Sequence, residues 1–255
     1  MKIYSDETKK NEINSLSEWF KLCPPKGGEK QWIDYHSAKE MANFWAGQNR
    51  KVNYENFQNF LQKKIKDFDY NYIIPEYKSK FDDYRNPRKH DLFITEKNHK
   101  AIITIEGKAA ESFGGKEFGI HFVETVLQKI ENHKSKELDR MIELYIDYFK
   151  SKDDIFSIIY QILYWFAGSV CDAIKDGTDN VVMVLQEFKS NQINSKKQQK
   201  NKRDFEKFIN FISEGKYKDI EEEDIIGPIT NEYTSIAGKG KKNLYIGYYS
   251  TKLDA

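Results

Sequence analysis

The stretch HDLFITEKNHKAIITIEGK, residues 90–108, decides how the chain is read. HDLFIT (90–95) and AIITIEGK (101–108) are runs rich in β-branched and aromatic residues, and with EKNHK between them they read as a β-hairpin. If Asn98 and His99 form a two-residue turn, Lys97 pairs with Lys100, and counting outward sets Asp91 opposite Glu106. Opposite side chains of an antiparallel pair share a face, with Cβ atoms about 5 Å apart. Lys108, two residues past Glu106, joins that face, while Gly107 points to the other. His90 points away from Asp91 on a regular strand.

Two carboxylates side by side repel unless a proton or a cation neutralises them. A hard divalent ion such as Mg²⁺ resolves the conflict, because it prefers carboxylate oxygens and keeps waters that exchange with phosphate oxygens. An adjacent lysine stabilises negative charge developing on phosphate. The pattern D-x14-E-x-K on a hairpin therefore suits metal-dependent hydrolysis. E-x-K alone is weak, and an ordinary charged strand end is the plain alternative. Glu111, three residues past Lys108, faces away if the strand continues and turns back if a helix starts after Ala109.

Outward from the hairpin, YNYIIPEYKS (70–79) is strand-like, with Pro75 suggesting an edge or bulge. NVVMVLQEF (180–188) is a β-branched run expected as a buried strand, and NLYIGYYS (243–250) as a last strand. Helices are expected around 15–22, from Ser37 with Glu40 at the capping-box position, and from Tyr54 to about Asp67. Further helices are expected over much of 119–150, in IFSIIYQILYWFAGSVCDAIK (155–175), and in DFEKFINFISEG (204–215). The simplest organisation is an N-terminal helical appendage, residues 1–50, packed on an α/β core of residues 51–255.

Acids and bases nearly cancel, 40 Asp+Glu against 41 Lys+Arg, so net charge predicts no partner and local segregation must supply one. The run SKKQQKNKR (195–203) is read as a basic loop, where Lys196, Lys197, Lys200, Lys202 and Arg203 either grip phosphates or stay solvated. PPKGG (24–28) lacks the P-loop pattern. Lys26, Lys30 and Trp32 belong either to a rigid packed loop or to a nucleic-acid contact. Cys23 and Cys171 have no metal-ligand spacing and suit reduced thiols of a cytoplasmic protein. The N-terminus has no apolar signal region, and Ile158–Val170 is too short for a membrane span of about 20 residues.

HDLFI…AIITIEGK resembles the PD-(D/E)XK nuclease superfamily, whose core is a helix, a β-meander carrying Asp and Glu-x-Lys, a helix and a further strand. SIIYQILYWF, with Gln161 and Tyr164, is similar to the Q-x-x-x-Y motif of the RecB-like branch, at a spacing one residue shorter. PPKGGEKQW…HSAKEMANFW, EGKAAESFG and YQILY also resemble a bacterial nuclease-like domain of unknown function. The resemblance spans about residues 20–190. It implies a restriction-endonuclease-like core, a central mixed sheet with an antiparallel hairpin flanked by helices.

It further implies Mg²⁺ or Mn²⁺ held by Asp91 and Glu106, with Glu55 or Glu40 as the extra acid from a first helix. Lys108 is then the catalytic lysine and Gln161 orients water or phosphate, with Glu111 and Tyr164 as accessories. The implied partner is nucleic acid, DNA foremost. Many nucleases of this type act as homodimers, although no segment here marks an interface. A second reading keeps the fold as a catalytically silent module that binds nucleic acid or protein.

Overall fold

The computed structural model describes residues 1–82, 84, 87–132, 136–150 and 152–253. A seven-stranded mixed sheet forms its middle layer. Its strands are β1 (Lys2–Ile3), β2 (Tyr70–Ser79), β3 (Arg88–Glu96), β4 (Ala101–Lys108), β5 (Asn180–Lys189), β6 (Asp224–Ser235) and β7 (Gly238–Lys252), in the order β1-β2-β3-β4-β5-β7-β6. β2, β3 and β4 form an antiparallel meander, and β5 lies parallel to both β4 and β7. β1 adds a short parallel strand beside β2, short enough to leave Pro75 on an open edge where its missing N–H costs nothing.

The alternation of β5 explains the layers. Val182 and Val184 face a cluster containing Met41, Trp45, Phe57 and Phe60, from α2 (Ser37–Ala46) and α3 (Arg50–Gln62). Val181, Met183 and Leu185 face the opposite cluster, with Trp165, Phe166, Phe205 and Phe208, from α6 (Tyr160–Asp176) and α7 (Ser195–Ile212). α1 (Leu16–Leu22) contributes Trp19 to the first cluster. α4 (Phe118–Asn132) and α5 (Lys136–Glu143) lie on the way from β4 to α6. α6 approaches the sheet closely at Gly168, where a Cβ would stand 3.0 Å from Ser79 Oγ and 3.1 Å from the His90 ring.

Several sequence expectations need correction. The hairpin turn spans Lys97–Lys100 rather than two residues, because the Glu96 carboxylate accepts from the N–H groups of Asn98 (2.8 Å) and Lys100 (3.0 Å). The register is still the expected one, running from Thr95↔Ile102 to Leu92↔Ile105. The basic run is helical rather than a loop. It forms the start of α7, where the Asn194 side chain accepts from Lys196 N at 2.9 Å and Phe205, Phe208, Ile209 and Ile212 anchor the later turns. α3 begins and ends four to five residues earlier than expected, and α6 starts only at Tyr160, after a 3₁₀ turn at Asp153–Ser157. β6 was not expected.

Candidate active site

The pleat breaks where the site begins. The β2–β3 ladder pairs Pro75 with Leu92 and Tyr77 with His90, passing over Glu76 and Asp91, and Glu76 has φ +49. Phe93 and His90, three residues apart, both face the α6 side: Phe93 packs in its cluster and His90 lies 3.3 Å from Asp172 of α6. Regular alternation would send them to opposite faces. Asp91 is consequently not a regular cross-strand neighbour of Glu106. Its Oδ2 accepts instead from the Gly107 N–H at 2.8 Å.

Glu106 is 2% exposed and gathers the cluster. Lys108 Nζ lies 2.9 Å from Glu106 Oε1, the Arg88 guanidinium pairs with Oε2, and Gln161 Nε2 donates to Oε1. Gln161 Oε1 accepts in turn from Gly114 N, so the first turn of α6 ties β4 to the loop that follows it. Burial alone raises the Glu106 carboxyl, but Arg88 and Lys108 outweigh it and hold the group below its ordinary value. Burial lowers Lys108, and Glu106 and Asp91 outweigh that, so its ammonium is kept protonated. Asp91 goes the other way: burial first, then the charge of Glu106, push it up to about 8.

These side chains line one cavity of about 390 Å³ at the carboxyl end of β4. Asp91, Glu106, Lys108, Gln161 and Glu111 all reach it, so the structure brings together residues up to 70 positions apart in sequence. The Ser37 N–H (2.9 Å) and hydroxyl both donate to Glu111 Oε1, while the buried Oε2 has no hydrogen-bond partner. Tyr164 does not line the cavity. Its ring lies 5.9 Å from the Arg88 guanidinium and 4.9 Å from that of Arg140, so it touches the site through Arg88.

Other proposed residues lie elsewhere. Glu55 is exposed on α3 and does not line the cavity. Glu40 is buried, but it accepts from Tyr35 N (2.8 Å) and Asn43 Nδ2 (3.0 Å), which fixes the start of α2 rather than a ligand. His36, not Ser37, is the N-cap of α2, since Ser37 is drawn to Glu111. Lys196, Lys197, Lys200, Lys202 and Arg203 do not line the cavity; Lys200 pairs with Asp204 (2.5 Å) and Lys202 with Glu206 (3.5 Å). Their helix is nonetheless joined to the site loop, because Asn201 accepts from Phe113 N (2.8 Å) and donates to Glu111 O (3.0 Å).

Sequence reasoning missed Arg88 and Glu76. Glu76 lines the cavity and pairs with Lys89 at 3.1 Å, and burial raises its carboxyl. Its position directly after a strand proline was the available signal. The wall from residues 19–41, including Lys26 and Trp32, carried a signal only in its aromatic and basic composition.

Among the described residues, no group of three or more His, Cys, Asp and Glu side chains forms a ready metal cage. The donor chemistry nevertheless suits a hard divalent ion: Asp91 is buried beside the charge of Glu106, and Glu111, whose Oε2 has no hydrogen-bond partner, lines the same cavity. Glu106 could join such an ion only by sharing its oxygens with Arg88 and Lys108 or releasing one of them.

A seven-stranded mixed sheet between helical layers, with a charged cavity at the end of its central strands, defines an α/β protein with a deep polar site. The chain belongs to the family described as Domain of unknown function (DUF6946), whose model matches residues 12–253. No curated protein and no solved structure matches it.

Proposed function

We propose that the protein is a metal-dependent nuclease with a PD-(D/E)XK-type site on a restriction-endonuclease-like core. The observation that carries this reading is the convergence of Asp91, Glu106 and Lys108 in one cavity, with Gln161 of the next core helix hydrogen-bonded to Glu106. The order of elements supports it: a β-meander bearing the acids, a helix bearing the glutamine, then a strand parallel to β4.

Asp91 and Glu106 would hold Mg²⁺ or Mn²⁺, which when bound supplies Lewis acidity and an acidified water. Lys108, kept protonated by its two acid neighbours, serves as a fixed positive charge toward the phosphate oxygens and not as the proton acceptor. Gln161 fixes the Glu106 carboxylate between β4 and α6. Hydrolysis adds water across one phosphorus–oxygen bond, leaving a phosphate monoester and a hydroxyl. DNA is the expected substrate.

The test incubates purified protein with Mg²⁺ or Mn²⁺ and with DNA and RNA strands. Cleavage is expected, and is expected to disappear in Asp91→Ala and Lys108→Ala proteins. Unchanged cleavage in both variants would exclude this site. Nucleic-acid binding with neither metal uptake nor cleavage would favour the silent binding module, a reading to which the Arg88 clamp on Glu106 lends support.

A further inference from the structure

The cavity has two unlike sides. Its floor is charged and comes from β3, β4 and α6. Its facing wall comes from residues 19–41 and carries Trp32 and Lys26. Trp32 is half-buried, whereas Trp19, Trp45 and Trp165 are 3%, 0% and 0% exposed. It is the cavity-lining tryptophan that stays partly exposed. The Phe20 ring packs against it at 5.0 Å and 43°. Its backbone is pinned as well: Trp32 N donates to Glu29 O (3.1 Å), Gly28 N to Pro25 O (2.9 Å) and Gly27 N to Gln31 Oε1 (2.9 Å). The indole is thus presented by an ordered loop, which limits what ordering would cost on binding.

Depth decides what can enter. Glu106 and Lys108 are 2% and 5% exposed, and about 390 Å³ is the scale of a pocket for one small ligand. A phosphate that reaches Lys108 passes below the protein surface, and a strand free of its partner follows it there with its sugar and base at less cost than an intact duplex does. That base then needs a flat apolar partner in place of its stacked neighbours.

We propose that Trp32 is a stacking platform for a nucleobase, and that nucleic acid enters this cavity as a single strand or a strand end with one base unstacked. The proposal rests on the nuclease reading of the floor. Lys26, on the same wall, faces the backbone of the entering strand. A single strand suffers little unstacking, whereas an intact duplex must be opened first. This selects single-stranded substrate without any hydrogen-bond reading of sequence.

The experiment titrates Lys108→Ala protein in Mg²⁺ with a thymidine 12-mer and with a blunt duplex, following tryptophan fluorescence and anisotropy of labelled strands. The single strand is expected to quench the fluorescence and to bind at least tenfold more tightly than the duplex. Adding Trp32→Leu, which keeps an apolar side chain against Phe20, should weaken single-strand binding by about tenfold. Adding Trp32→Phe should retain most of the binding and lose the quenching. Single-strand affinity unchanged by Trp32→Leu, or duplex binding as tight as single-strand binding, overturns the proposal. If the Trp32 effects appear but wild-type protein cleaves nothing with Mg²⁺ or Mn²⁺, the platform stands and the nuclease reading falls.

Discussion

The backbone N–H of Gly107 donates to Asp91 Oδ2 at 2.8 Å, so the residue between Glu106 and Lys108 is what holds the carboxylate of the neighbouring strand. The middle position of E-x-K is therefore part of the site through its backbone. It is also closely packed, since a Cβ there would lie 2.8 Å from Met41 Cγ and 3.0 Å from its Sδ.

Gly107→Ala should therefore destabilise by about 1–2 kcal/mol, with a flexible methionine absorbing part of the overlap. In a Met41→Ala background, which lacks both Cγ and Sδ, the added cost should shrink. Urea denaturation of the four proteins of this cycle measures the coupling, and strictly additive costs would exclude the steric account.

Arg88→Ala removes one of two cations from a buried carboxylate. Breaking a buried pair costs about 3–5 kcal/mol when the partner is left uncompensated; here Lys108 remains, so about 2–3 kcal/mol is expected. Under the proposed metal binding, Mg²⁺ or Mn²⁺ should restore more of the lost Tm in this variant than it adds to wild type. Thermal melts with and without the ion decide it, and equal increments would argue against an ion beside Glu106.

Metal-free protein should lose stability as pH rises. Asp91 is raised from 3.8 to about 8, so its contribution is fully present below the unfolded value and is lost as pH climbs through about 8. Glu76 and Glu187, raised by burial, act in the same direction. Glu106 is lowered, so its contribution is present above 4.5 and is lost as pH falls through its folded value. In EDTA, Asp91→Asn should flatten the decline in Tm between about pH 5 and about pH 9. Parallel wild-type and variant profiles would remove Asp91 from the explanation.

On α7 the five basic residues should not be equivalent. Lys196, Lys197 and Arg203 are exposed, whereas Lys200 and Lys202 are engaged with Asp204 and Glu206. Replacing the first three with Glu should weaken DNA binding and flatten its salt dependence more than replacing the latter two. Affinity measured across a salt series separates the groups, and an equal loss for both would contradict the distinction.

The hairpin, the buried strand β5 and the apolar helix α6 were legible because each has an uninterrupted pattern, and α6 carries a polar Gln161 at the place where β4 ends. The strand register could be counted from the turn, even though the turn itself is longer. Of the candidate site, Asp91, Glu106, Lys108, Gln161 and Glu111 were legible as residues, whereas Arg88, Glu76 and the geometry were not. Glu76 and Asp91 break the pleat, and alternation cannot reveal which face a residue takes across such a break. β6 escaped notice because its ladder shifts between Ile226 and Ile229 around Gly227 and Pro228, which interrupts the period of two. The start of α7 has a nearly all-polar first half, so no apolar period marks it as helix. Glu55 sits on an expected helix, but helical periodicity alone does not say which exposed face overlooks a cavity.

The close approach of α6 at Gly168 reaches further than its own neighbourhood. Gly168 lies seven residues, about two turns or 10 Å of helix, from Gln161. Any side chain there meets Ser79 and His90 and must lift the helix or displace them. The absent methyl group works like a shim between two machined parts: its thickness sets the clearance of the helix above the sheet, and so the height at which the amide of Gln161 meets Glu106.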